Sequence, residues 1–161
     1  MIANKLTKVY NMRLQNDHPA FLLLQDFCHF YTKRNMTKIL NLFSSHQKIF
    51  ILGTGIDETR IDIHGLKKQL ERDWSQSESG TLTLDPNVVT SSIDASSQKA
   101  WAYGVCTAEI TINAQKHCFT PLRGSLFATI ENDQWKIEHI HSSFPSIHQE
   151  EEQSFPTKKI A

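Results

Sequence analysis

The chain has 161 residues, which suits one domain with a sizeable core and leaves little room for two. Its 17 basic and 17 acidic residues balance, so no global field favours nucleic acid or an anionic membrane. Three cysteines, Cys28, Cys106 and Cys118, form no CxxC pair, which argues against a disulfide framework or structural zinc and for a reducing, cytoplasmic compartment.

Residues 1–16 read as an N-terminal arm or frayed helix, and no apolar run approaches a membrane span. The run Phe21 to Leu24, flanked by Asp17 and Asp26, is too short for a signal-peptide core. Asp17 offers an N-cap and Pro19 suits a first helical turn. Phe21, Leu24, Cys28 and Tyr31 then recur at helical spacing, and the helix is expected to end near Lys33-Arg34. Asn35 can cap a second, short helix with the stripe Met36, Ile39, Leu40 and Phe43. Residues 47–52 read as a strand entering the turn Gly53-Thr54-Gly55. A third helix over about 63–77 places Ile63, Leu66, Leu70 and Trp74 on one face.

From Gly80 the period changes to two. Pro86-Asn87 marks a bend, Val88 to Ile93 a strand, and 94–98 a turn. Three long strands follow over 99–112, 117–131 and 134–143, joined by connections short enough for hairpins. Residues 17–146 are thus expected to form one domain and 147–161 a disordered tail. Helices first and strands later predict an α+β fold, with N-terminal helices packed on a strongly curved antiparallel sheet whose cone encloses a central pocket.

Two stretches carry a family likeness. One is Phe50-Ile51-Leu52-Gly53-Thr54-Gly55-Ile56-Asp57-Glu58, with Gly65, Leu70 and Arg72-Asp73-Trp74 after it. The other is Trp135-Lys136-Ile137-Glu138-His139-Ile140-His141-Ser142-Ser143. Together they resemble the SnoaL-like pattern of the nuclear transport factor 2-like superfamily, a cystatin-like α+β cone. The resemblance implies a homodimer formed through the sheet. It leaves activity open, because that scaffold hosts isomerases, cyclases, dehydratases, adaptors and oligomerisation hubs. The last strand is also similar to its counterpart in the association domain of calcium/calmodulin-dependent kinase. There an arginine that helps bind small acids stands where this chain has Ser142, so acid binding is not carried over.

Register follows from the turns. With two-residue loops at Ala114-Gln115 and Asn132-Asp133, Tyr103 lies opposite Leu126, Trp101 opposite Ala128, and His139 opposite Leu126. One face then holds Trp101, Tyr103, Val105, Leu126, Ala128, Ile130, Trp135, Ile137, His139 and His141, and is assigned to the helices and pocket. The other holds Ala100, Ala102, Gly104, Cys106, Arg123, Ser125, Phe127, Glu138 and Ser142, and suits a partner sheet. A slip of one residue in either turn swaps the assignments.

His139 and His141, two apart on a strand, are candidate acid/base groups, and Tyr103 a candidate polarising donor to a ligand carbonyl. The plainer alternative is a hydrogen-bonded histidine pair in a core or dimer seam. Trp74, Trp101 and Arg123 join these three as candidate ligand contacts. Arg123 is otherwise expected to pair with Glu138 or Glu109, Trp74 to pack in the core, and Glu58 to stabilise the glycine turn. Gly53-Thr54-Gly55 lacks the further glycine and the lysine of a phosphate loop. No cofactor or metal is expected. Three readings follow: a small-molecule binding homodimer for an apolar or aromatic ligand; a cofactor-independent isomerase, cyclase or dehydratase using histidine; or a dimerisation or interaction module without a ligand.

Overall fold

The computed structural model describes residues 18–46, 48–85, 90–94 and 98–146. The expected arm, the Asp17 cap, the Pro86-Asn87 bend and the tail lie outside these residues. Three helices, α1 (Pro19–Thr32), α2 (Met36–Leu42) and α3 (Ile63–Ser75), pack on one face of an open seven-stranded sheet. Its strands are β1 (Phe50–Leu52), β2 (Thr59–Arg60), β3 (Ser79–Leu84), β4 (Thr90–Asp94), β5 (Lys99–Ile112), β6 (Gln115–Glu131) and β7 (Gln134–Ser143). Their order is β2-β1-β7-β6-β5-β3, and β4 shares the outer edge of β5 with β3. No described helix is long and apolar enough to cross a membrane.

Local chemistry sets the helix ends. His18 Nδ1 accepts the amide of Ala20, so the cap of α1 is His18, because Pro19 already occupies the first helical position. Asn35 caps α2 through the Lys38 amide, and Asp62 caps α3 through that of Gly65. Arg34, at φ 52°, turns the chain between α1 and α2. Its guanidinium donates to the carbonyls of Trp74 and Ser77, holding the C-terminal end of α3.

The predicted stripes meet in one core. Leu24 of α1, Ile39 of α2, and Leu66 and Leu70 of α3 bury against Ala100, Ala102, Leu126, Ala128, Ile137 and Ile140 of the sheet. Each large aliphatic side chain among them contributes roughly 1.5–3 kcal/mol by leaving water. Small residues on β5 let α1 approach that strand closely. β1 runs parallel to β7 and antiparallel to β2. Neither that parallel pairing nor the two-residue strand β2 follows from local periodicity, since both depend on tertiary contact.

Candidate functional site

The register corrects the expected face assignment. The β5–β6 turn is Asn113-Ala114, both at positive φ, rather than Ala114-Gln115. A bulge between Cys106 and Ala108 shifts the pairing once more, so Trp101 lies opposite Phe127 and Tyr103 opposite Ser125. The Asn132-Asp133 turn forms as expected, and Ala128 lies opposite Ile137. A second bulge then inserts Glu138, so His139 faces Phe127 and His141 faces Ser125. Each extra residue reverses every side chain beyond it. Ala100, Ala102, Gly104 and Cys106 therefore face the helices, whereas Trp101, Tyr103, His139 and His141 lie on the outer face.

That outer face is built in rows. Phe50, His139, Phe127 and Trp101 form one row across β1, β7, β6 and β5, and Leu52, His141, Ser125 and Tyr103 form the next. Phe50 is 51% exposed, Trp101 47%, Tyr103 42% and Leu52 40%, while Ala100 and Ala102 between them are at most 1% exposed. Lys99 borders the patch. Its ammonium lies 5.6 Å from the centre of the Phe127 ring and 3.2 Å from Glu138. Partial burial, and then the neighbouring His141, hold the His139 imidazole below its ordinary proton affinity. Arg123 sits at the edge, donating to the Phe144 carbonyl at 3.1 Å; Glu138 is taken by Lys99, and the expected Arg123 ion pair does not form.

On the helix face, the row Gly104, Gly124 and Ser142 carries almost no side chain. A Cβ placed on Gly124 would meet only backbone oxygens, at 3.8 and 3.9 Å. Among the described residues, space is therefore open beside Gly124. Two shallow depressions, of about 370 and 250 Å³, open elsewhere, beside Asn41, Gln134 and Lys136. None of His139, His141, Tyr103, Trp101, Arg123 or Trp74 lines either one.

A second polar cluster joins α1, α3 and the glycine turn. Tyr31 Oη donates to Asp73 Oδ2 at 3.2 Å. The Gln69 amide donates to Asp73 at 2.7 Å and to Glu58 at 3.0 Å. Arg72 donates to Asp57 and Glu58. Glu58 in turn accepts the Gly55 amide at 2.7 Å, and a Cβ on Gly53 or Gly55 would collide with its side chain, which explains both glycines. Glu58 therefore stabilises the turn, as expected. Burial pushes the Asp73 carboxyl above its usual range, and burial with the adjacent Asp73 pushes the Tyr31 hydroxyl up. Trp74 stands next in sequence, 6.0 Å from the Tyr31 ring, with a buried indole N–H that has no hydrogen-bond partner. Asp73 and Trp74 were visible in the sequence as part of the Arg-Asp-Trp motif. In the sequence Tyr31 is only one more residue of a helical stripe. Among the described residues, no three His, Cys, Asp or Glu side chains gather as a metal site.

Residues 22–147 match the family model described as a SnoaL-like domain. No curated protein matches the chain. Among solved structures, a nuclear transport factor 2-like superfamily protein from Salmonella enterica superposes with a TM-score of 0.69 at 16% identity, covering 91% of this chain and 99% of its own. A candidate calcium/calmodulin-dependent protein kinase II association domain from Xanthomonas campestris gives 0.65 at 20%, covering 78% and 84%. A candidate scytalone dehydratase from Novosphingobium aromaticivorans gives 0.61 at 12%, covering 88% and 87%. At these identities the likeness establishes the fold, which is the one expected from the sequence.

Proposed function

The chain belongs to the SnoaL-like family, and from that premise we propose that it is a homodimeric binding domain. Two copies meet through the outer sheet face, and the helix-covered face is left for a small apolar or aromatic ligand. The exposed aromatic rows of that outer face carry the reading. Exposed Phe50 and Leu52 on β1 and Trp101 and Tyr103 on β5, flanking Phe127, His139 and His141, are costly in water and suit a two-fold interface, where one patch meets itself. The relative described as an association domain supports the same use of the fold. Trp101, Tyr103, His139 and His141 are then seam residues, with Arg123 at the rim. Histidine-based catalysis loses its base if both rings are closed in that seam. We assign the chain to the cytoplasm on its three free thiols.

Sedimentation equilibrium of the full chain tests this. Twice the 18.5 kDa chain mass is expected at tens of micromolar, with Trp101→Glu reverting to a single chain mass. A wild-type chain that stays monomeric at that concentration contradicts it.

The Tyr31–Asp73 pair favours a second reading, a dehydratase- or isomerase-type site on the helix side. A carboxyl with raised proton affinity beside a phenol is a proton-transfer pair, and the unpartnered Trp74 N–H offers a ligand a donor. The relatives described as candidate dehydratases support this use of the scaffold. Thermal denaturation against a library of small aromatic compounds tests it: a hit raises the melting temperature of wild type and loses its effect in Asp73→Asn. A library that shifts nothing counts against a ligand.

A further inference from the structure

Cys28 on α1 and Cys106 on β5 stand apart from both sites above. Their sulfurs lie 3.8 Å apart although the residues are 78 positions apart in sequence. Both residues are buried, at 5% and 6% exposure, whereas Cys118 is exposed. A disulfide needs the sulfurs at about 2.05 Å, an approach of about 1.8 Å from the reduced contact. We propose that Cys28 and Cys106 form a peroxide-sensitive disulfide that fastens α1 to β5.

The contact couples the two thiols. Across the 3.8 Å contact either thiol can donate to the other, and the sulfur that accepts is the more readily ionised. With Cys28 as donor the first thiolate forms on Cys106, and the two roles exchange if Cys106 donates. The Cys106 thiolate attacks a peroxide oxygen, the O–O bond breaks, and a sulfenic acid and water result. The Cys28 sulfur then attacks the Cys106 sulfur. The S–S bond forms, the S–O bond breaks, and hydroxide leaves with the Cys28 proton as water. Two thiols are oxidised by two electrons and the peroxide is reduced to two waters. Burial selects the oxidant: hydrogen peroxide is small enough to enter, whereas glutathione disulfide is too large and modifies exposed Cys118 instead.

The consequence is local and global. Gly104 precedes Cys106 by two positions on the same strand face, next to the open space beside Gly124. Oxidation fixes the distance from α1 to the sheet next to that space. Closing so long a loop also lowers the unfolding constant, on the order of 10³-fold in the chain-entropy account.

The test is a non-reducing peptide map of the full chain after stoichiometric hydrogen peroxide. The expected result is a Cys28–Cys106 linked peptide with a mass loss of about 2 Da. It forms in wild type and Cys118→Ser, is absent in Cys106→Ser, and is reversed by dithiothreitol. Oxidised protein should also unfold at higher urea than reduced protein. Recovery of Cys28 and Cys106 as alkylatable thiols while Cys118 is oxidised overturns the proposal. So does a linkage that runs only through Cys118 between chains. The wild-type map stands without any variant, so a serine variant that fails to fold does not obscure the result.

Discussion

The two faces of the sheet use the same strands for opposite ends. On β5 the helix side reads Ala100, Ala102, Gly104 and Cys106, and the outer side reads Trp101, Tyr103 and Val105. Large residues are usually inside and small ones at the surface, but here the order is reversed. Small residues bring α1 down onto the strand, as the Cys28–Cys106 contact shows. Large ones project from a face that nothing among the described residues covers. A face that only bordered solvent would have no physical reason to carry Phe50, Trp101 and Tyr103 in register. Helices cover one side, and the proposed homodimer would cover the other.

Substitutions can break this contrast, beginning with the largest effect. Ile137→Ala removes a side chain with 0% exposure from the helix side and should cost about 2–5 kcal/mol in urea unfolding. Trp101→Ala, two strands away on the outer side, should change the stability of the dissociated chain by no more than about 0.5 kcal/mol. Equal losses at the two sites would erase the distinction between the faces. Tyr103→Ala should weaken association about 5- to 30-fold in a dilution series, as expected for an aromatic near the centre of an interface; no change would move the seam elsewhere.

Acid sharpens the same contrast. The folded chain holds the proton affinity of His139 below its ordinary value. Its neutral form therefore favours the folded state above the unfolded value near 6.5, and that stability is lost as pH falls from about 6.5 through the depressed value. Burial in a seam increases the penalty, so lowering pH from 7.5 to 5.5 should weaken association several-fold, and His139→Gln should flatten the dependence. A pH-independent dimer would take His139 out of the seam. The smallest effect belongs to the sheet end. Glu131, whose carboxyl is held down at about 2 by Ser44 and Ser45, secures the segment after α2. Glu131→Gln should lower the melting temperature by a few degrees without altering association.

Much of this molecule was legible in its residues. Helical stripes at Leu24 and Cys28, at Ile39 and Phe43, and at Leu66 and Leu70 found the helices and their buried sides, because a 3.6-residue period needs only local sequence. The Asn132-Asp133 turn was equally readable and set the β6–β7 pairing correctly as far as Ile137. The site was less legible because a single inserted residue reverses a strand face. The bulge at Glu138 moved His139 and His141 outward, and the shift near Cys106 did the same for Trp101 and Tyr103. The residue inserted on β7, Glu138, is neither glycine nor proline, whereas Pro121 on β6 stands at the other shift. The Tyr31–Asp73 contact joins residues 42 positions apart and arises only when α3 docks on α1.

Hydroxyl-radical footprinting across a dilution series tests the central claim most directly, because it reads each side chain separately. If the outer face is the association surface, Phe50, Trp101 and Tyr103 should be protected together at high concentration and become reactive together on dilution, while Leu126 and Ile137 stay protected throughout. Reactivity of Phe50, Trp101 and Tyr103 that is high and unchanged at every concentration would contradict the account.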